Sequence, residues 1–233
     1  MQISVVIPAF NEAKVISSTV KEVREFLKNR FSSFEIIIVD DKSTDSTLKI
    51  IESLPEVIVL RNLKNHGKGY TVAKGVKAAQ GDWILFMDAD NSTRIVELDN
   101  FFKYKDDYDL LIASRALPGS KIKVKQNILK IVLGKSGNLL SRLLIAPKIH
   151  DTQCGFKLFR REVQPLFSQL TISGFAFDFE LIWLARKNNF RIKELAVAWV
   201  NNFDSTVKWY TYPQTLLQLF FIRLNDLLGK YNN

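Results

Sequence analysis

Two aspartates two residues apart, Asp88 and Asp90, follow directly on the apolar run Trp83-Ile84-Leu85-Phe86-Met87. Such a run reads as a buried strand, so the pair is delivered to a strand's carboxyl end. Alternate side chains of a strand point the same way, and both carboxylates converge on one divalent cation if strand geometry persists that far. Mg2+ or Mn2+ held by one or two carboxylates fills its other positions with water and phosphate oxygens, which points to a phosphate-bearing substrate. An isolated D-x-D is equally a hydrophilic turn, but this one has company. Phe34-Glu35-Ile36-Ile37-Ile38-Val39 runs into Asp40 and Asp41, and Ile3-Ser4-Val5-Val6-Ile7 runs into Pro8-Ala9-Phe10-Asn11-Glu12. In open α/β sheets ligands bind outside the carboxyl ends of the strands where strand order reverses, so these three loops are expected to meet around one ligand.

Other residues admit two readings each. Glu12 is either an acceptor for N–H and hydroxyl donors of a ligand or a first-turn charge favouring a helix dipole. In Gly67-Lys68-Gly69 the glycines permit close backbone approach and the lysine can neutralise phosphate; the segment is too short and differently spaced for a Walker A loop, which excludes an ATPase of that class. Arg115 is placed to contact a diphosphate or to stand in solvent. Asp45 reads as a turn or cap residue, and His66 and His150 as surface residues. Asp178 and Glu180 open a helical run through Arg186; residues two apart on a helix do not share a face, so one of them is expected in the site.

The elements that position these residues follow from periodicity. Val15, Ile16, Val20, Val23, Phe26 and Leu27 mark a helix after the first strand, and Ser43 to Leu54 reads as a helix capped by Ser43 or Asp45. Val57–Leu60 is a third strand, the Asn65–Gly69 loop enters a helix ending at Ala79, a helix spans Ile95–Tyr104, and Leu110–Ser114 is a fifth strand. Alternating strands and helices imply one parallel-rich sheet. The 233 residues fit a single α/β domain, and 47% hydrophobic content with 17 Phe and 4 Trp suffices for its core. Domain boundaries are expected at 1–210, including a basic amphipathic segment over 119–148, with an amphipathic helix or tail over 211–233. The single cysteine, Cys154, excludes an intrachain disulfide and fits a reducing compartment.

The set VVIPAFNE, IIIVDDKSTDST, KNHGKGYTVAKGVKAAQGDWILFMDAD and DTQCGFKLF resembles, over about residues 3 to 208, the inverting family 2 glycosyltransferases. Within them it is most similar to the polyprenyl-phosphate sugar synthases, the dolichyl-phosphate glucosyltransferases and mannose synthases. The resemblance implies a GT-A (Rossmann-like) nucleotide-diphospho-sugar transferase fold of the α/β class, a mixed, mostly parallel sheet flanked by helices. It implies that Pro8, Ala9 and Glu12 lie against the base and ribose and that Asp40 or Asp41 bonds the base. Lys68, Asp88, Ala89, Asp90 and Arg115 would line the rest of the nucleotide-sugar, with Mg2+ or Mn2+ on Asp88 and Asp90. Asp151-Thr152-Gln153-Cys154-Gly155-Phe156-Lys157 resembles the acceptor-side motif: Asp151 would sit near the phosphates of donor and acceptor, and Gln153 and Lys157, or Arg160 or Arg161, would hold the acceptor. Many family members carry an E-D pair supplying a base; this chain has Phe177-Asp178-Phe179-Glu180, which leaves the base open between Asp178 and Glu180.

A base is needed only if the acceptor is a hydroxyl. A phosphomonoester is already anionic near neutral pH, and its difficulty is repulsion rather than activation. The implied reaction is in-line displacement at the anomeric carbon with inversion, with UDP-glucose favoured over GDP-mannose as donor and dolichyl or polyprenyl phosphate as acceptor. The net charge of +9 agrees with an anionic partner, and the excess is conspicuous between Lys121 and Lys148. There Ile122, Val124, Ile128 and Leu129 alternate with Lys121, Lys123, Lys125 and Lys130, as in an interfacial helix, or alternatively in a core helix with a basic outer face. Tyr212–Leu228 is a second such stretch and lacks the ~20 uninterrupted apolar residues of a spanning helix. With no signal peptide or transmembrane segment legible, the expectation is a peripheral protein at the cytoplasmic face of a membrane. A soluble or glycan hydroxyl is the rival acceptor; a basic nucleic-acid-binding protein is disfavoured because no nucleic-acid motif appears.

Overall fold

A computed structural model describes residues 2–122, 141–200 and 211–231 of the chain. The apolar runs become strands β1 (Gln2–Ala9), β2 (Ser33–Asp40), β3 (Ile58–Arg61), β4 (Trp83–Met87) and β5 (Leu110–Ser114), joined by helices α1 (Ile16–Lys28), α2 (Thr47–Ser53), α3 (Lys68–Ala78) and the short α4 (Leu98–Phe101). A two-residue strand β6 (Lys121–Ile122) pairs with β9 (Ala198–Trp199) outside the main sheet. Strand β7 (Phe156–Arg160), a 3-10 helix (Arg161–Ser168), helix α5 (Phe177–Lys187), strand β8 (Ile192–Ala196) and helix α6 (Thr211–Leu227) follow.

The main sheet runs β3-β2-β1-β4-β7-β5-β8. β1, β2, β3 and β4 are mutually parallel, as are β5 and β8, whereas β7 is antiparallel to both its neighbours. The chain builds outward from β1 to β3 and then returns to β1's other side with β4, so the reversal lies between the carboxyl ends of β1 and β4. Both faces of the sheet are covered, which is why its strands are nearly continuous apolar runs. Val6, Ile37, Val39, Ile84 and Phe86 pack on the face covered by α3 and α5, while Val5, Ile7, Ile36, Ile38, Leu85 and Met87 pack with Ile16, Val20, Val23 and Leu27 of α1 on the other. Helix α6 sets Leu219 and Ile222 into the first of these cores and leaves Leu217, Phe220, Phe221, Leu224 and Leu227 exposed. Among the described residues no helix is long and apolar enough to cross a membrane.

Two expected elements differ. The Ile95–Tyr104 helix is a 3-10 turn (Ile95–Glu97), the single α-turn of α4 and a second 3-10 turn (Phe102–Tyr104). Its buried residues Ile95, Leu98 and Phe101 recur every three positions, which suits 3-10 rather than α geometry. Helix α2 begins at Thr47 instead of Ser43, because residues 43–45 bond the loop after β1: Asn11 N–H donates to Ser43 Oγ (3.0 Å), Thr44 N–H to Asn11 Oδ1 (2.7 Å) and Ala13 N–H to Asp45 Oδ2 (3.3 Å). The antiparallel β7 sits inside the sheet although Lys157 interrupts its apolar pattern. Most of the basic 119–148 segment, residues 123–140, lies outside the described residues.

Candidate active site

Strand β4 ends at Met87, so Asp88, Ala89 and Asp90 stand on a turn and not on a strand, closed by Asn91 in the left-handed region (φ 54°). Strand alternation is therefore not what brings the two carboxylates together; the turn does. The Asp88 N–H donates to Gly155 O (3.0 Å), and the Asp88 carboxylate lies against the Gly155 backbone so closely that a Cβ there would fall 1.9 Å from Oδ2. With Asp88 in this position glycine is what 155 accommodates, and a larger residue would displace the carboxylate, a constraint the sequence alone did not disclose. Asp90 accepts the Ser92 N–H (2.9 Å) and Ser92 Oγ–H (2.8 Å). Ala89 turns into the core, and its carbonyl accepts from Thr19 on α1 (2.8 Å), so its side chain is not presented to a ligand.

Glu12 arrives from the loop after β1, its N–H bonded to Thr47 Oγ1 (2.8 Å) and its carbonyl receiving the N–H groups of Val15 and Ile16 at the start of α1. Burial, and next the charges of Asp90 and Asp88, raise its carboxyl from 4.5 to about 7. Asp90 is also raised, by burial first and then by Asp88. Lys68, whose Nζ lies 2.7 Å from Asp88 Oδ1, is the cation set against this cluster; burial disfavours its charge, but Asp88, Asp178 and Asp90 outweigh burial and raise its pKa. Three carboxylates beside the Lys68 ammonium form the kind of donor set whose negative charge a divalent cation neutralises. Among the described residues no three His, Cys, Asp or Glu side chains form a complete metal cage. Mg2+ and Mn2+ take one or two carboxylates and complete their shell with water and substrate phosphate, and Asp88 and Asp90 are the residues that would hold such an ion.

The β2 pair divides its work. Asp41 is buried and accepts from His66 N–H (2.9 Å), Gly67 N–H (2.8 Å) and Asn62 Nδ2 (2.8 Å), which folds the 62–67 loop back onto β2. Asp40, also buried, receives the Ser43 N–H at 3.3 Å. Asp41 is therefore a loop organiser, which leaves Asp40 as the member of the pair suited to a base. Pro8 and Ala9 occupy the last two positions of β1, beside Val39 and Asp40; Pro8 is half-buried, and Ala9 is a core residue whose carbonyl receives the Asp41 N–H (2.9 Å). His66 stacks on Tyr70, with ring centroids 4.1 Å apart. Asp45 fills the expected turn role, accepting from the Thr47 N–H (2.9 Å) and hydroxyl.

On the side of β5 and β7 the charges are paired. Arg115 makes a two-pronged ion pair with Asp151, Nε to Oδ2 at 2.6 Å and Nη2 to Oδ1 at 2.9 Å, and its own N–H adds a third bond. Burial pushes Asp151 up, but Arg115 outweighs it and holds the carboxyl below the ordinary value. The guanidinium also lies 5.5 Å from the centre of the Trp199 ring. Lys157, expected at an acceptor anion, is instead fully buried: its Nζ donates to Asp178 Oδ1 (2.5 Å) and Cys154 O (2.8 Å). The reason is the pleat of β7, which turns Lys157 toward the same face as Phe159, where α5 covers it. Arg160 and Arg161 lie at the other end of the strand, Arg160 opposite Trp83 at the start of β4, and so are remote from Asp88. Gln153 donates weakly to Phe175 O (3.4 Å).

Of the two acids on α5, Asp178 faces the site. Burial raises its pKa, Lys157 and Lys68 pull it back, and Asp88 is near enough to raise it again. Glu180 points away, accepting from Thr171 N–H, Ile172 N–H and Tyr231 O–H. His150 sits at the surface, its Nδ1 3.0 Å from Glu194. Cys154 is buried and its thiol is pushed up to about 12 by that burial, so it is not a nucleophile.

The arrangement sets an acidic cluster of the kind that holds a metal, and a lysine, at the strand-order reversal. The model of the family described as "Glycosyl transferase family 2" matches residues 4–165. A protein of Dictyostelium discoideum named dolichyl-phosphate beta-glucosyltransferase is 35% identical, with 97% of this chain and 75% of that protein aligned. Its namesake in Homo sapiens is 32% identical over 99% of this chain and 77% of its own, and that of Saccharomyces cerevisiae 30% over the same shares. Among solved structures, mannosyl-3-phosphoglycerate synthase from Rubrobacter xylanophilus superposes with a TM-score of 0.72 at 16% identity, covering 100% of this chain and 76% of that one. Glucosyl-3-phosphoglycerate synthase from Mycobacterium tuberculosis, in complex with Mn2+, UDP and glucosyl-3-phosphoglycerate, gives 0.69 at 18% identity, covering 96% and 79%. At those identities the structures speak for the fold, which is the GT-A glycosyltransferase fold. The matched motifs span well over half of the sequence and include each of the strand ends described above, and the chain belongs to glycosyl transferase family 2.

Proposed function

We propose that this protein is an inverting hexosyltransferase that moves glucose from UDP-glucose onto the phosphate of a dolichyl or other polyprenyl phosphate, with Mg2+ or Mn2+ held by Asp88 and Asp90. The observation that carries the acceptor class is the state of the acids on the acceptor side: Asp151 is paired with Arg115, Asp178 with Lys157, and Glu180 is occupied by N–H and O–H donors. Asp151 is held below its ordinary value by Arg115, and Asp178, although burial raises it, has Oδ1 committed to Lys157 Nζ, whereas a hydroxyl acceptor would need an available proton acceptor. A phosphate acceptor needs none. One of its oxygens bonds to the anomeric carbon as the bond from that carbon to UDP breaks, and the electron pair leaves on the terminal phosphate oxygen of UDP.

The residues of the chain then have separable tasks. Asp40, Pro8 and the backbone around Ala9 receive the base and ribose, and Glu12 borders them at the acidic cluster. Lys68 supplies a positive charge beside the diphosphate, and Arg115, anchored by Asp151, keeps its partly exposed guanidinium beside the same phosphates. Asp88 and Asp90 would hold a cation that neutralises charge on the departing diphosphate. Lys157, buried under Asp178, fixes that carboxylate instead of binding substrate. The lipid acceptor lies in a bilayer, and the outward apolar face of α6 together with the chain's positive charge suits attachment at an anionic membrane surface on the cytoplasmic side.

The test is transfer by purified protein with Mg2+ or Mn2+ and a short polyprenyl phosphate, with UDP-glucose, GDP-mannose and other labelled nucleotide sugars in parallel. Labelled lipid from UDP-glucose is expected. Lipid from GDP-mannose alone would overturn the donor, and glycosylation of soluble hydroxyl compounds with no lipid product would overturn the acceptor.

A further inference from the structure

Glu180 lies outside the reaction just described, yet it is among the most fully bonded acids of the chain. It is completely buried on α5, and its two oxygens accept from the Thr171 N–H (3.0 Å to each), the Thr171 hydroxyl (2.6 Å), the Ile172 N–H (2.9 Å) and the Tyr231 hydroxyl (2.5 Å). Tyr231 follows α6 and is itself buried, and Asn225 of α6 reaches Thr171 Oγ1 (3.3 Å). The loop Glu180 grips, 171–175, has no regular structure of its own and Thr171 and Ser173 are exposed. That loop in turn backs the lysine of the donor site. A Cβ at Gly67 (φ 95°) would fall 2.7 Å from Ser173 O, and one at Gly69 would fall 2.7 Å from Ile172 O and 2.6 Å from Phe177 Cβ. The Tyr70 N–H donates to Ser173 O (3.1 Å). Lys68, between those two glycines, reaches Asp88.

We propose that Glu180 is a positioning residue: clamped by Tyr231, it fixes the 171–174 loop, which sets the Gly67-Lys68-Gly69 backbone and so places the Lys68 ammonium at the acidic cluster. The chain's last described helix is thereby tied to the donor site by hydrogen bonds and backbone contacts, with no substrate contact of its own. Glycine on both sides of Lys68 is what lets the two loops touch; bulk at either position would separate them. The Tyr231 hydroxyl is well suited to a permanent donor, since burial, and next its bond to Glu180, raise it to about 12 and keep its proton in place at any physiological pH.

The inference rests on the donor site proposed above, and the experiment separates the two. Amide hydrogen exchange of the full chain is compared for wild type, Tyr231→Phe and Thr171→Val, and UDP affinity is measured by calorimetry with Mn2+ present. Both substitutions remove a hydroxyl with little change of shape. Expected are faster exchange at Tyr70, unchanged exchange at His66 and Gly67, which Asp41 holds independently, and about fivefold weaker UDP binding at temperatures well below melting. Glu180→Gln, whose amide NH2 would face the N–H and O–H donors that the carboxylate now accepts, should be at least as disruptive as either variant. Unchanged Tyr70 exchange together with unchanged UDP affinity would overturn the proposal, as would faster exchange spread evenly through the sheet, the mark of global destabilisation. If wild type bound no UDP, the donor-site reading would fail, while the Tyr70 exchange, which needs no ligand, would still decide whether the clamp positions the lysine loop.

Discussion

Glu12 is the residue whose environment makes the sharpest demand. Its carboxyl is raised from 4.5 to about 7, so the folded chain holds a proton there that the unfolded chain has released by mid-acid pH. Stability from this group is therefore fully present below pH 4.5 and is lost as pH rises to about 7. Glu12→Gln should make the metal-free protein more stable than wild type above that window, by about 1 kcal/mol once solvent screening is allowed for, with no difference at low pH. Chemical denaturation at several pH values checks this, and Mg2+ should remove the advantage, because a cation at Asp88 and Asp90 favours the ionised Glu12. Gly155 makes a demand of shape. Gly155→Ala would drive a methyl group into the Asp88 carboxylate, and we expect Mn2+ affinity measured by calorimetry to fall at least tenfold, with a stability loss of about 1–3 kcal/mol. Undiminished Mn2+ binding would show that Asp88 is not the anchor.

At the scale of elements, β7 carries the most consequence. By running antiparallel between β4 and β5 it buries Lys157 against Asp178 and brings Gly155 against Asp88. Lys157→Met should cost about 3–5 kcal/mol by stranding a buried carboxylate, and adding Asp178→Leu should recover most of that loss in thermal melts. A Lys157→Met variant of full stability with a raised acceptor KM would instead return Lys157 to the role its sequence suggested. β7 was hard to read because Phe-Lys-Leu-Phe-Arg looks like a strand with surface charges; the partner that makes the lysine a core residue stands at position 178, far away in sequence. β1, β2, β4 and β5 were legible within one or two residues because strands covered on both faces are nearly continuous apolar runs. The segment 43–46 was not, since Ser43 and Thr44 bond Asn11, more than thirty residues earlier, and Asp45 divides its carboxylate between that loop and Thr47 at the start of α2. Likewise the spacing of Asp178 and Glu180 showed that only one could face the site, but which one depends on Thr171, Ile172 and Tyr231, contacts that only the tertiary fold creates.

The whole molecule presents a donor site at one end of a sheet and an apolar helix face on α6. Leu217, Phe220, Phe221, Leu224 and Leu227 are exposed on α6 while Leu219 and Ile222 anchor it, so the outward residues contribute little to folding. Phe220→Ser with Phe221→Ser should reduce sedimentation with anionic vesicles at least tenfold, given about 1.5–3 kcal/mol for each large side chain buried, and leave UDP affinity intact. Unchanged sedimentation would move membrane contact away from this helix. Donor and acceptor meet only if both ends of this design work together, and the bond they form is the most direct witness. The decisive measurement is nuclear magnetic resonance of the lipid product made from UDP-glucose carrying 13C at the anomeric carbon. The account predicts an anomeric carbon coupled to phosphorus, with a β configuration; an α product, or an anomeric carbon bonded through oxygen to carbon instead of phosphorus, would contradict it.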